Sequence, residues 1–92
     1  MIKSFRHAGL EKFYRTGSKA GIQPRHAAKL ERQLAVLNRA KAPEDMAKPV
    51  SWRLHALQGK EKHWSIWVNG HWRLTFTFDG EDAIPVDYRD YH

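Results

Sequence analysis

The apolar residues of the chain change period once, near Pro49. Before it they recur at helical spacing. Leu10, Phe13 and Tyr14 share one side of a segment over residues 8–16, and Gly17 is placed to end that helix in a left-handed cap. Ala27, Leu30, Leu34 and Leu37 form a second stripe. It predicts a helix that begins at Pro24, a residue suited to a first helical position, and runs to about Ala40. Ala42-Pro43-Glu44-Asp45 ends it, and Pro49 predicts extended backbone beyond. After Pro49 the period is two. Residues 51–57, 64–68, 72–78 and a last run through Ile84, Val86 and Tyr88 read as strands, with Pro85 marking an edge or a bulge. Ile2 to Phe5 reads as a short first strand, and residues 16–21 as a turn.

Asn69-Gly70 marks a hairpin, and two registers compete. A two-residue turn pairs Val68 with His71 and puts Ile66 on the same face as Arg73. A three-residue loop pairs Val68 with Trp72. It lines up Trp64, Ile66, Val68, Trp72, Leu74, Phe76 and Phe78 on one face and leaves Ser65, Trp67, Arg73, Thr75 and Thr77 on the other. A slip of one residue flips every side chain, so burial favours the longer loop. A strand, two helices and a run of strands make an α+β domain. Two helices pack on one face of a mainly antiparallel sheet, and Trp67 and Arg73 lie on an open face.

Ninety-two residues allow one domain, over residues 1–92, with a small core. The 41% apolar and 12% aromatic content argues against disorder. The absence of cysteine excludes a disulfide framework, a thiolate nucleophile and Cys-ligated zinc. No apolar run is long enough to span a bilayer, and the N-terminus lacks the pattern of a secretory signal, so a cytoplasmic protein is expected. The net charge of +6 points to a polyanion, with RNA or DNA first. It is uneven: residues 1–53 hold twelve basic and four acidic residues, and residues 54–92 hold four and six. Arg25, Lys29, Arg32 and Arg39 lie off the apolar stripe of the second helix. They suit phosphate contacts, and equally the ordinary solvated face of an amphipathic helix.

No phosphate-binding Gly-rich loop, His-Glu-x-x-His motif or serine elbow is present. The chemistry-bearing residues are His55, His71, Arg73, Asp90, Tyr91 and His92. His55, His63, His71 and His92 lack paired-ligand spacing, so no metal or other cofactor is expected. Asp90-Tyr91-His92 places a carboxylate, a phenol and an imidazole on consecutive residues. Such an ending is either a polar tail or a site held to the sheet through Val86 and Tyr88. An imidazole suits proton transfer near neutral pH, and an outward Arg73 suits a phosphate. A cation with imidazoles fits RNA cleavage by the RNA's own 2′-hydroxyl.

Five stretches, in this order, resemble the HigB-type toxins of the RelE superfamily of bacterial mRNA interferases. They are Met1-Ile2-Lys3-Ser4-Phe5, Arg53-Leu54-His55-Ala56-Leu57-Gln58-Gly59, Trp64-Ser65-Ile66, Trp72-Arg73-Leu74-Thr75-Phe76 and Asp87-Tyr88-Arg89-Asp90-Tyr91-His92. The resemblance covers essentially the whole chain. It implies a RelE-like fold and a ribosome-dependent endoribonuclease that enters the A site of the 70S ribosome and cuts translated mRNA. It also implies a HigA-type helix-turn-helix antitoxin, with operator DNA reached only through the toxin–antitoxin complex. By matched position His55, Arg73, Asp90, Tyr91 and His92 inherit the active-site roles. His92 would transfer the proton, Asp90 orient it or share that role, Tyr91 stack on or bond to the nucleotide, and Arg73 hold the scissile phosphate.

The chain departs from the family pattern at Gln58, where relatives carry a lysine counted in the active site. Lys60 or Lys62 would then supply the charge, and His71 adds an imidazole where relatives have a small polar residue. Arg25, Lys29, Arg32, Gln58, Lys60, Lys62 and His71 thus make up the expected RNA-binding set. Two further readings stand beside the interferase: a catalytically weak RNA- or ribosome-binding module, and a ParE-type protein acting on DNA gyrase.

Overall fold

The computed structural model describes residues 1–57, 59 and 62–91; Gln58, Lys60, Glu61 and His92 lie outside the described residues. Helix α1 spans Ala8–Thr16. His7 caps its start, its ring Nδ1 accepting from the Leu10 N–H at 2.9 Å. Gly17 ends it at φ 81°, donating its N–H to the Phe13 carbonyl at 2.8 Å. The first turn of α1 touches the following loop so closely that a Cβ on Gly9 would meet the Gly21 carbonyl oxygen at 2.5 Å. A 3₁₀ turn led by Pro24 feeds helix α2, Ala27–Arg39. Leu30, Leu34 and Leu37 of α2 are buried, as the apolar spacing requires.

The sheet is antiparallel throughout, in the order β1 (His55–Leu57), β2 (His63–Asn69), β3 (Trp72–Asp79), β4 (Asp82–Asp90). The body of the hairpin follows the longer-loop register, and its tip follows neither expected register. Its body pairs Ile66 with Leu74 and Trp64 with Phe76, as the longer loop requires. At the tip Asn69 pairs with Trp72 across a two-residue Gly70-His71 turn, and Val68 is the extra residue of a bulge. Gly70 takes φ 55° at the first turn position, where primed hairpin turns call for glycine. The bulge lets the apolar face stay buried: Ile66, Val68, Leu74 and Phe76 are all fully enclosed. They join the core formed with Leu10, Phe13, Leu30, Leu34, Leu37, Met46 and Trp52.

Four expectations are corrected. The strand expected over residues 51–57 contracts to His55–Leu57. Val50–Trp52 is a 3₁₀ turn that swings Trp52 into the core and ends at Arg53 with φ 53°. The first strand is two isolated parallel bridges, Ile2 to Ala83 and Phe5 to Val86, along the outer edge of β4. Between the bridges stands Pro85, which has no N–H to continue the ladder. A second bulge sets Pro85 and Val86 together against Phe76. Ala83, Val86 and Tyr88 therefore face the core, while Ile84, expected to align with Val86, is only half-buried. On the face away from the helices, Ser65 and Thr75 are buried despite the expected openness. They are short side chains standing among Trp67, His63, Asp87 and Arg89.

Leu34 is 1% exposed at the centre of this packing. Leu34→Ala should lower unfolding free energy by about 2–5 kcal/mol. A shifted denaturant midpoint with an unchanged slope would show it.

Candidate active site

Strand alternation divides the expected site residues between the two faces of the sheet. On the open face, His55, Ser65, Thr75 and Asp87 form one cross-strand row, and Trp67, Arg73 and Arg89 form the next. Arg73 and Arg89 stand directly opposite each other, a pairing of like charges that costs stability unless an anion joins them. Arg89 leans on Asp87, with Nε 3.9 Å from Oδ2, and its guanidinium lies 5.2 Å from the Tyr91 ring centre. Arg73 donates from Nη1 to the carbonyls of Gly70 (3.2 Å) and Trp72 (3.1 Å). Among the described residues it has no carboxylate partner. A small cleft of about 50 Å³ opens beside this row, lined by Arg6, Leu57, His63, Thr75, Pro85, Asp87, Arg89 and Tyr91.

His55 is exposed on the edge strand, its Nδ1 3.0 Å from the Arg53 carbonyl oxygen. A carbonyl only accepts, so Nδ1 carries the proton and Nε2 presents its lone pair outward in the neutral ring. That is the tautomer of a base.

Asp90 lies on the other side. It pairs with Trp72, and with Arg25, Asn69, Gly70 and His71 the two line a wider cleft of about 290 Å³ at the hairpin tip. Consecutive strand residues point to opposite faces, so Asp90 turns away from Arg89 and Tyr91. The structure thus gathers Asp90, His71 and Arg25 around one cleft at the hairpin tip, and spreads His55, Arg73 and Tyr91 along the open face, His55 two strands from Arg73. The Tyr91 N–H donates to the His71 carbonyl at 2.8 Å, which ties the chain to that tip as far as Tyr91. His92, Gln58 and Lys60 lie outside the described residues. Lys62 is exposed, and its carbonyl accepts the Thr77 hydroxyl at 2.6 Å.

The basic stripe expected on α2 is not one surface. Arg25 precedes the helix and faces the cleft with Asp90. Lys29 reaches the sheet edge, its Nζ 4.2 Å from the Trp67 ring centre. Arg32 and Arg39 are solvent-exposed. Sequence reasoning missed Arg6, Arg53, Asp87 and Arg89, and weighed His63 only as a metal ligand. Alternation from Tyr91 was the available signal for Asp87 and Arg89; Arg6 and Arg53 arrive only through tertiary packing. Among the described residues no group of three or more His, Asp or Glu side chains is placed to hold a metal ion.

Residues 3–92 match the family described as RelE-like toxin of type II toxin-antitoxin system HigB. The chain belongs to the HigB-like toxin family. It is also 34% identical over 93 residues to the endoribonuclease HigB of Proteus vulgaris, with the whole of both chains covered. Its two helices on a four-stranded antiparallel sheet are the α+β arrangement expected of this toxin family.

Behind the wider cleft, in contact with its Trp72, lies a buried pair. His26 is 1% exposed, with Nδ1 2.6 Å from the Tyr88 hydroxyl, which also accepts the Gln23 N–H at 3.4 Å. Trp72 stacks on Tyr88 at 4.4 Å between ring centres. Burial, with repulsion from Arg25 and Lys29, holds the His26 pKa below its ordinary value. Burial pushes the Tyr88 hydroxyl up. At neutral pH the phenol therefore donates to a neutral imidazole. Below about pH 6.5 the unfolded chain takes up a proton at His26 that the folded chain resists. Stability should fall progressively as pH drops through that value. Denaturant midpoints measured between pH 8 and 5 should show the decline, and His26→Phe should flatten it.

Proposed function

We propose that this toxin is an endoribonuclease that cuts translated mRNA on the ribosome. The observation that carries the reading is the pair Arg73 and Arg89, opposite each other on the open face, with Tyr91 against Arg89 and the exposed His55 on the same face. Two arginines on neighbouring strands can both reach the dianionic phosphorane-like charge that forms when RNA attacks itself. The 2′-oxygen bonds to phosphorus, and the bond from phosphorus to the 5′-oxygen breaks. In this reading Arg73 holds the scissile phosphate and Tyr91 stacks on a neighbouring base. His92 transfers a proton, following directly on the tethered Tyr91, and His55 Nε2 is a second proton acceptor. The RNA would cross the hairpin tip, so that Asp90 and His71 meet it from the far side with Arg25.

Membership of a type II toxin family entails an antitoxin partner. We take it to be a HigA-type helix-turn-helix protein, through which operator DNA is reached, and place the toxin in the cytoplasm. No helix among the described residues is long and apolar enough to cross a membrane. Family membership favours RNA over gyrase as the target. Gln58 motivates the weak-binding alternative, since an amide there supplies no cation.

Primer extension on translated mRNA, with and without ribosomes, tests the reading. Arg73→Ala and His92→Ala should each lose about 10²–10⁴-fold in cleavage while remaining folded. Products should carry a 2′,3′-cyclic phosphate or its hydrolysed form, opposite a 5′-hydroxyl. Gln58→Lys should hold or raise the rate. If the wild-type protein binds ribosomes and cuts nothing, the binding-module reading replaces this one.

A further inference from the structure

Beyond the short strand β1, the edge of β2 carries an indole surrounded by cations. Trp67 has the Lys29 ammonium 4.2 Å and the Arg53 guanidinium 4.7 Å from its ring centre. Since both are measured to one ring, the two charges lie no more than about 9 Å apart, close to one Debye length at physiological salt. The two cations repel across that gap. Burial, and secondarily Arg53, holds the Lys29 pKa below its ordinary value. Neither has a carboxylate partner among the described residues, and neither does Arg73, which pairs with Trp67 across the strands. The Trp67 Nε1 and Arg73 Nη1 both donate to the Gly70 carbonyl, at 2.9 and 3.2 Å.

Three cations therefore come from distant parts of the chain: α2, the left-handed residue after the 3₁₀ turn, and the central strand β3. Lys29 and Arg53 share the Trp67 ring, and Arg73 shares the Gly70 carbonyl with its N–H. The ring faces attract cations through their negative quadrupole. The edge of the indole is fixed by its own hydrogen bond. An uncompensated group of this kind is at its lowest energy with anions between its members.

We propose that Lys29 and Arg53, positioned by Trp67, form a clamp for the sugar–phosphate backbone of RNA, continuous with Arg73. It binds phosphates next to the scissile one. The proposal rests on the endoribonuclease reading for the role of Arg73. Single-stranded RNA is favoured over a protein segment because three cations without a carboxylate partner among the described residues match its repeated phosphates, and the indole offers a base a stacking face. Sequence reasoning had Lys29 only as part of a helical stripe. Neither Arg53 nor Trp67 figured in it as a binding residue.

The test uses the full chain and a short single-stranded RNA with 2′-O-methyl riboses, which cannot be cut by its own 2′-oxygen. Affinity is followed by fluorescence anisotropy over a range of salt concentrations. Each lost phosphate contact should lower the slope of log affinity against log salt by about 0.7. Lys29→Gln and Arg53→Gln should each lower it by that step, and the pair by about twice as much. Trp67→Leu removes no charge, yet it should lower the slope and weaken binding, because it releases both cations. Trp67→Phe, which keeps a ring face, should restore most of the loss, and a matching denaturant midpoint for each variant excludes misfolding.

Slopes in all variants equal to the wild type would overturn the clamp, while wild-type cleavage of translated mRNA would leave the endoribonuclease reading in place. A slope that falls as expected in a protein that cuts no mRNA would support the clamp and reject that reading. Unchanged RNA binding with weakened antitoxin binding would make the cluster a protein contact, and the RNA proposal would be wrong.

Discussion

The apolar face of the β2–β3 hairpin has to lie under α2, and the remaining structure follows from that constraint. Ile66, Val68, Leu74 and Phe76 are fully enclosed against Leu30, Leu34 and Leu37. Each buried side chain contributes roughly 1.5–3 kcal/mol, so turning this face to solvent would cost about 6–12 kcal/mol, comparable with the whole stability of a small domain. With those residues inside, Trp67 and Arg73 are obliged to be outside, because the side-chain period of a strand is two. The bulge at Val68 resolves the conflict at the tip. It admits a tight Gly70-His71 turn without moving the apolar residues below it off the core face.

The same constraint sets the electrostatics. An open sheet face beside a basic N-terminal half collects cations that have few acids near them. Arg73 and Arg89 face one another, and Lys29 and Arg53 share one indole. Like charges repel, and the Trp67 ring and Asp87 offset only part of that repulsion. The proposed anionic partner would offset the rest. A toxin of a type II system that acts on RNA would meet such a partner in the phosphate backbone.

The β4 end of the site is held by a different device. Tyr88 is fixed by His26, Gln23 and a stacked Trp72, and the next residues are carried past the hairpin tip to the Tyr91–His71 hydrogen bond. The price is a buried histidine whose Nε2 has no partner among the described residues. It gives β4 a rigid footing, which a site on the last residues of a strand needs if its groups are to keep their positions.

The sequence by itself determined the two helices and their stripes, the Gly17 cap, the α+β class and the body of the hairpin register. These depend on spacing and on local turn chemistry, both of which are legible one segment at a time. It also pointed to Arg73 and the Asp-Tyr-His ending, since the resemblance to the toxin family lies in those stretches. Only the tertiary structure decided that Asp90 turns away from Arg73 and Tyr91, that Pro85 divides the N-terminal pairing into two bridges, and that the strand before β2 shrinks to three residues. Bulges and 3₁₀ turns shift parity by one residue, and the gain that selects them is burial of Trp52, Val68 and Val86 in a core assembled from distant segments. The meeting of Lys29, Arg53 and Trp67 has the same origin: residues 29, 53 and 67 share no pattern along the chain, and packing alone makes them neighbours.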